Sequence, residues 1–192
     1  MKNLPPYYVQ LQEKCAEIGF TQPSDVHIGS LLRTLMASKP GGRFLEMGTG
    51  IGLSLSWMVD GLGSSDTAHL ISLDNDANLM TIANEHFGDD ERVTLICTDG
   101  ADWLRNYQKE PFDLIFADTW PGKFYETAET LDLVAPGGFY IIDDMRTRDD
   151  WPDGHQQKVD DLLTYLKRRD DFTLTNLMDW STGVFILTKL VV

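Results

Sequence analysis

Cysteine, basic residues and long apolar runs are all scarce in this sequence, and each scarcity excludes a class of protein. Two cysteines in 192 residues are too few for a disulfide framework and lack the paired spacing of a metal site. The 16 Lys and Arg against 30 Asp and Glu give a formal charge of −14, which disfavours binding to nucleic acid or to an anionic membrane surface. The sequence contains neither an apolar signal segment nor a run of about 18 apolar residues that could span a membrane. We therefore expect a cytoplasmic protein.

The order of apolar segments predicts one α/β domain over residues 1–192. Hydrophobic residues make up 42% of the chain, which is enough for a single core at this length. Short β-branched runs alternate with longer amphipathic stretches, which predicts a doubly wound, mostly parallel sheet with helices on both faces. Each run is nearly continuous, as in a strand buried on both faces. The predicted parallel strands are Arg43–Met47, His69–Leu73, Val93–Cys97, Asp113–Ala117 and Gly138–Ile142.

The two ends of the chain depart from this alternation. Phe172–Leu177 and Gly183–Leu190 are joined by a link too short for a helical crossover, so they predict an antiparallel hairpin. Residues 1–40 predict a helical cap, with one helix over Tyr8–Ile18 and a second from the Ser24-Asp25 cap to Ala37. These helices could pack on the sheet or cover a ligand, and their periodicity leaves both interpretations open.

A glycine-rich turn follows the first predicted strand. Gly48, Gly50 and Gly52 stand at alternate positions between a strand and a helix, where the backbone can turn sharply and approach a ligand. The alternative is a turn that binds nothing. The spacing is G-x-G-x-G and not the G-x-G-x-x-G of pyrophosphate binders. The carboxylate of Glu46 would repel a pyrophosphate but suits a cationic ligand such as S-adenosylmethionine.

Two more acidic residues end the next two strands. Asp74 could accept hydrogen bonds from ribose hydroxyls, and Asp99 could accept one from an adenine amino group, with Gly100 and Ala101 leaving room for the ring. Each Asp could equally be a turn residue or a helix cap. Open α/β sheets bind ligands at the carboxyl ends of their strands. The three acidic strand ends together therefore favour a nucleoside site.

The fourth and fifth strands are followed by three carboxylates, Asp118, Asp143 and Asp144. Converging carboxylates repel one another unless a cation or a shared proton compensates, so Mg²⁺ is a candidate ligand. The alternative is an acidic crevice without metal, in which Asp118 contacts cofactor or substrate. Lys123 could act as a base or lower the pKa of a hydroxyl, or it could be a solvated lysine. Trp120 could stack on adenine, wall a substrate pocket or pack in the core.

The segment Leu45–Ser54 resembles the first motif of the class I S-adenosylmethionine-dependent methyltransferases. More narrowly, the chain is similar to bacterial O-methyltransferases related to catechol and caffeoyl-CoA O-methyltransferases, over roughly Ser24–Lys189. The resemblance implies a Rossmann-like, seven-stranded sheet with a reversed C-terminal hairpin, and often a homodimer. It also implies contacts of Glu46 and Gly48 with the methionine moiety, of Asp74 with the ribose, and of Asp99 and Ala101 with the adenine.

The same resemblance implies that Asp118, Asp143 and Asp144 are metal ligands. The lysine of catechol-type enzymes follows the Asp by three residues, whereas Lys123 follows Asp118 by five. The complete predicted cofactor-binding set is Glu46, Gly48, Gly50, Gly52, Ser54, Asp74, Asp99, Gly100, Ala101, Asp118 and Trp120, and the predicted catalytic pair is Asp118 and Lys123. His155, where a helix is predicted to begin, is interpreted as a surface residue.

These features predict an S-adenosylmethionine-dependent O-methyltransferase that modifies a phenolic or catechol-like hydroxyl of a small molecule, with Mg²⁺ as a candidate second cofactor. A nicotinamide-dependent oxidoreductase is the rival, because it shares the strand, the glycines and Asp74. The glycine spacing, Glu46 and the terminal hairpin disfavour that rival. A non-catalytic module that binds S-adenosylmethionine or a partner protein is the third interpretation.

Overall fold

The computed structural model describes residues 4–108, 110–148 and 151–191. These residues group into two compact units, the first ending at Gly100 and the second beginning at Ala101. The single domain over residues 1–192 stays a prediction. Every predicted strand and both predicted N-terminal helices are present, most of them within two residues of the predicted ends. In the described part of the chain, no helix is both long and apolar enough to cross a membrane.

The first unit contains four helices and three parallel strands in the order β3-β2-β1. Their bounds are α1 Tyr8–Ile18, α2 Val26–Ala37, β1 Arg43–Met47, α3 Leu53–Gly61, β2 His69–Asp74, α4 Ala77–Phe87 and β3 Val93–Cys97. Met47 pairs with Leu73, and Asp74 pairs with Cys97. The carboxyl ends of all three strands therefore lie at the same edge of this part of the sheet.

The prediction that every parallel strand is buried on both faces is wrong for β3. Four of the five residues in β1 are buried, whereas the residues of β3 are half-buried and Cys97 is exposed. The reason is position, because β3 stands at the end of the order β3-β2-β1. The apolar content of a strand does not distinguish an edge position from a central one.

The first two helices pack against α3 around the ring of Trp57. The ring of Tyr8 meets that of Trp57 edge-on at 5.6 Å between centroids, and a Cβ added to Gly29 would lie 2.3 Å from the indole. The guanidinium of Arg33 lies 4.7 Å above the same ring. Asp25 caps α2 as predicted, accepting hydrogen bonds from two backbone N–H groups. The contacts of α1 and α2 with Trp57 support the interpretation that the N-terminal helices pack on the rest of the first unit.

The second unit contains four strands in the order β4-β5-β7-β6 and three helices. Their bounds are α5 Gly100–Asn106, β4 Phe112–Ala117, α6 Thr127–Asp132, β5 Val134–Ile142, α7 His155–Leu166, β6 Phe172–Leu177 and β7 Val184–Lys189. β4 and β5 are parallel, while β7 runs antiparallel to both β5 and β6, which confirms the predicted hairpin. Ala117 pairs with Ile142, so Asp118 and Asp143 follow neighbouring strand ends.

Candidate functional site

The glycine-rich turn of the first unit has a backbone that other residues rarely adopt. Gly48, Gly50 and Gly52 have φ angles of 106°, 52° and 100°, all in the region that disfavours a Cβ. A Cβ on Gly52 would also lie 2.8 Å from the ring of Phe87. The N–H of Gly48 donates to the carbonyl of Leu73 at 2.8 Å. The turn therefore requires these glycines for its own folding as well as for any ligand.

The carboxyl group of Glu46 lies fully buried beneath this turn. Its Oε2 accepts from the hydroxyl of Ser72, which also bonds Thr49 at 2.6 Å, whereas Oε1 makes no hydrogen bond of normal geometry. Burial raises the pKa of Glu46 to about 7, the hydroxyls of Ser54 and Ser72 oppose that shift, and the charge of Asp74 adds to it. A buried carboxylate whose hydrogen-bond partners named here are neutral hydroxyls is suited to receiving an ammonium group.

Asp74 shapes the same turn. Its Oδ2 accepts from the N–H of Gly50 at 2.8 Å, and its Oδ1 accepts from the N–H of Asp76 at 2.9 Å. The interpretation of Asp74 as a turn residue is therefore correct, and it does not conflict with a contact to ribose. Each carboxylate oxygen keeps a second lone pair, so ribose hydroxyls can still donate to it.

The remaining predicted nucleoside contacts lie at the end of β3. Asp99 is exposed, Gly100 begins α5, and Ala101 is 9% exposed. The N–H of Thr98 donates to the carbonyl of Asp74 at 2.8 Å. The structure thus brings Glu46, Asp74 and Asp99 to one edge of the sheet, as the predicted nucleoside site requires. Their contacts with a cofactor stay predictions. Ser54 is buried in the first turn of α3.

The loop after β4 places a buried lysine next to a carboxylate. Lys123 is 2% exposed, and its Nζ lies 3.8 Å from Oδ1 of Asp118. The interpretation of Lys123 as a solvated lysine is therefore wrong. Trp120 lies between these two residues in the chain, and the Nζ of Lys158 lies 5.4 Å above its ring. Stacking of Trp120 on adenine stays a prediction.

The acidic pair after β5 is held by hydrogen bonds inside the second unit. Oδ1 of Asp143 accepts from the hydroxyl of Thr182 and, at 2.8 Å, from the N–H of Asp144. Burial, together with the charge of Asp144, raises the pKa of Asp143 to about 6. The hydroxyl of Thr182 and the charge of Lys123 oppose this shift. Asp143 is thus stabilised by protein groups.

The three carboxylates do not fit the predicted magnesium site. Among residues 4–108, 110–148 and 151–191, no three side chains of His, Cys, Asp or Glu are grouped as metal ligands. One oxygen of Asp143 is already held by Thr182 and a backbone N–H. The ammonium of Lys123 supplies the counter-charge that a metal would otherwise bring to Asp118. The three carboxylates predicted a nearby cation, and the structure places the ammonium group of Lys123 beside Asp118.

His155 was predicted at the surface and is instead buried, at 2% exposure. Its Nε2 lies 3.3 Å from the carbonyl oxygen of Asp144, so Nε2 carries the proton, and Nδ1 has no hydrogen-bond partner. Its ring stacks on Trp151 with 4.2 Å between centroids, and burial lowers its pKa. Trp151, four residues earlier, is the weak signal in the sequence that could have indicated this contact.

Comparison with known proteins identifies relatives of the whole arrangement. Residues 45–145 match the family described as "Methyltransferase domain". A Mycobacterium avium (strain 104) protein named "Putative O-methyltransferase" is 27% identical over 136 residues, which are 68% of this chain and 60% of that relative. The chain thus matches only about 60% of the length of this curated relative.

Two solved structures share the fold. The O-methyltransferase from Bacillus cereus in complex with SAH is 20% identical with a TM-score of 0.84, covering 100% of this chain and 93% of that one. The O-methyltransferase TomG from Streptomyces achromogenes, in complex with SAM and involved in tomaymycin synthesis, is 21% identical with a TM-score of 0.83, covering 98% and 92%. These likenesses confirm the predicted fold class, a Rossmann-like seven-stranded α/β sheet.

Proposed function

Because the chain belongs to the family of methyltransferase domains, we propose that it transfers a methyl group from S-adenosylmethionine to a hydroxyl oxygen of a small molecule. The observation that carries this proposal is the buried carboxyl of Glu46, whose Oε1 has no hydrogen bond of normal geometry beside the glycine-rich turn. That oxygen lacks a cationic partner, and the amino acid part of S-adenosylmethionine supplies one. The O-methyltransferase name of the matched relatives supports oxygen as the acceptor atom.

The first unit would hold the cofactor by its strand ends. We assign Glu46 to the ammonium, Asp74 to the ribose hydroxyls and Asp99 to the adenine amino group, as the resemblance implies. The backbone of Gly48 and Gly50 would lie against the methionine part, since neither residue has a Cβ to prevent close approach. When bound, S-adenosylmethionine supplies an electrophilic methyl group on a sulfonium, so that an oriented nucleophile is the main further requirement.

The second unit would prepare the acceptor hydroxyl. The ammonium of Lys123 lies beside the carboxylate of Asp118 in a buried environment, where a positive charge stabilises an oxygen anion more strongly than in water. We propose that Lys123 lowers the pKa of the acceptor hydroxyl and that Asp118 receives its proton. A phenol ionises with a pKa of about 10, as tyrosine does, which favours a phenolic or catechol-like acceptor over an aliphatic alcohol.

The proposal is tested by binding and by turnover. Calorimetry should show S-adenosylhomocysteine binding to the ligand-free protein and no binding of NAD. Tight NAD binding without S-adenosylhomocysteine binding would instead identify the oxidoreductase. Transfer of a labelled methyl group to a panel of phenols, catechols, amines and carboxylic acids would then identify the acceptor. Cofactor binding without transfer to any acceptor would favour the non-catalytic module.

Two further properties are part of the proposal. A homodimer follows from the resemblance alone, and light scattering of the purified chain would measure it. We also propose a cytoplasmic location, which fractionation of cells would test.

A further inference from the structure

His155, at the first position of α7, is a buried polar side chain that the proposed reaction does not use. Its ring stacks on Trp151 with 4.2 Å between centroids, and the ring of Phe124 meets it edge-on at 5.4 Å. Nε2 donates to the carbonyl oxygen of Asp144 at 3.3 Å, and Nδ1 has no hydrogen-bond partner among the described residues. An imidazole between aromatic rings has lost the water that would satisfy its nitrogens. The bond to Asp144 is therefore the polar contact through which His155 can act.

The backbone of Asp144 has an unusual conformation that hydrogen bonds hold on both sides. Its φ is 60°, in the left-handed region where a Cβ is disfavoured. On one side, its N–H donates to Oδ1 of Asp143 at 2.8 Å. On the other side, its carbonyl accepts from His155, and the N–H of Met145 donates to the carbonyl of Gly183 at 2.8 Å. His155 thus stabilises a conformation that an aspartate seldom adopts.

This conformation directs the N–H of Asp144 at a carboxyl group that interacts with Lys123. Asp143 is buried, and the positive charge of Lys123 opposes the rise in the pKa of Asp143. The ammonium of Lys123 also lies 3.8 Å from Oδ1 of Asp118. Charges in a buried site interact more strongly than in water, so the position of Asp143 affects the electrostatic potential at Lys123. A displaced Asp143 would therefore change how Lys123 acts on a neighbouring hydroxyl.

We propose that His155 is a positioning residue for methyl transfer. Its Nε2–H holds Asp144 in the left-handed conformation, which fixes the carboxyl of Asp143 relative to Lys123. The inference rests on the proposed function, in which Lys123 stabilises the acceptor oxygen. This arrangement acts on charge that develops during the reaction, so its loss lowers kcat and leaves the affinity for the cofactor nearly unchanged.

Two substitutions at His155 separate hydrogen bonding from packing. Phenylalanine keeps an aromatic ring beside Trp151 and Phe124 but has no N–H, whereas the amide of glutamine can donate from near the position of Nε2. His155→Phe should lower kcat about tenfold and change the KM of the cofactor less than about twofold, while His155→Gln should keep kcat within about threefold of the parent. A residue that contributed packing alone would give the reverse order. A kcat in His155→Phe equal to or above that in His155→Gln would overturn the inference. His155→Met, which also lacks an N–H, takes the place of His155→Phe if that variant does not fold.

A second substitution tests whether the bond acts through the backbone of Asp144. Glycine adopts a φ of about 60° without the cost of a Cβ, so Asp144→Gly should make the bond from His155 dispensable. In the Asp144→Gly background, His155→Phe should lower kcat less than about twofold, against about tenfold in the parent. This comparison cancels the loss of the Asp144 carboxylate, because both proteins of the pair lack it. A loss of about tenfold in both backgrounds would contradict the proposed route through Asp144.

Nuclear magnetic resonance of the ligand-free protein tests the inference without any acceptor. The amide signal of Asp144 and the side-chain Cε signal of Lys123 should shift in His155→Phe and stay close to the parent in His155→Gln. His27→Phe, at an exposed position on α2, is the control and should shift neither signal. Unchanged signals of Asp144 and Lys123 in His155→Phe would overturn the inference. Shifted signals in a protein that methylates no acceptor would support the positioning contacts and contradict the proposed function alone.

Discussion

Replacing Glu46 by glutamine should stabilise the ligand-free protein at alkaline pH and weaken its binding of cofactor. The pKa of this fully buried carboxyl is raised from 4.5 to about 7. A raised carboxyl pKa means that the folded state prefers the neutral form. The associated stability is therefore complete below pH 4.5 and is lost as the pH rises through 7.

The size of the effect follows from the shift. At 1.36 kcal/mol per pKa unit, the ionised side chain destabilises the folded state by about 3 kcal/mol at pH 8.5. Glutamine removes that cost but weakens the hydrogen bond with Ser72, which offsets about 1 kcal/mol. The net gain of about 2 kcal/mol corresponds to a rise in melting temperature of about 4–8 °C at pH 8.5. At pH 5 the variant should be no more stable than the parent.

Thermal melts of both proteins without ligand, from pH 5 to pH 8.5, measure this difference. The difference between variant and parent cancels the titration of all other groups, and Glu85→Gln, at an exposed position on α4, is the matched control. Calorimetry should show S-adenosylhomocysteine binding at least about tenfold more weakly to Glu46→Gln, because a charged hydrogen bond is lost. A stability difference that does not change with pH, or undiminished cofactor binding, would refute the reasoning.

Three further predictions concern the turn and the loop after β4. Lys123→Met should reduce kcat by about a hundredfold with little change in cofactor affinity, because the positive charge beside Asp118 is lost; Lys167→Met, at an exposed position, is the control, and full activity of Lys123→Met would exclude a catalytic role. Methyl transfer should be unchanged by excess chelator, and a loss that added Mg²⁺ restores would instead support the metal-dependent interpretation. Gly52→Ala should lower the melting temperature by about 4–8 °C, from a strained backbone and contact with Phe87. Gly63 also has a positive φ, 58° against 100° at Gly52, and no neighbour within 4 Å, so an equal loss in Gly63→Ala would contradict the contribution of packing.

The nucleoside site proposed in the first unit was predictable because the sequence features that indicate it are local. Alternate glycines follow one strand and acidic residues end the next two strands, and the parallel pairing of these strands places all of them at one edge of the sheet. The hydrogen bonds of Asp74 to Gly50 and Asp76 were not predictable in detail. A carboxylate at a strand end has the same appearance in the sequence whether it binds backbone or ligand.

The acidic group in the second unit was predicted only in part. The sequence indicated that Asp118 and Asp143 would follow neighbouring strands, and the pairing of Ala117 with Ile142 agrees. It did not indicate that Lys123 is buried beside Asp118 or that Thr182 holds Asp143. These partners decide between a metal site and a cluster stabilised by protein groups.

The amino-acid sequence by itself determined the elements, their order and the turn that a cationic nucleoside would occupy, because hydrophobic periodicity and glycine conformation act over a few neighbouring residues. Only the tertiary structure decided which charged groups lose their water and which partners they find. Thr182 reaches Asp143 across 39 positions, and the burial of His155 and of the oxygen Oε2 of Glu126 depends on packing within the second unit. The burial of a charged group depends on the residues that fold around it, so residue type alone did not indicate which of these groups are buried.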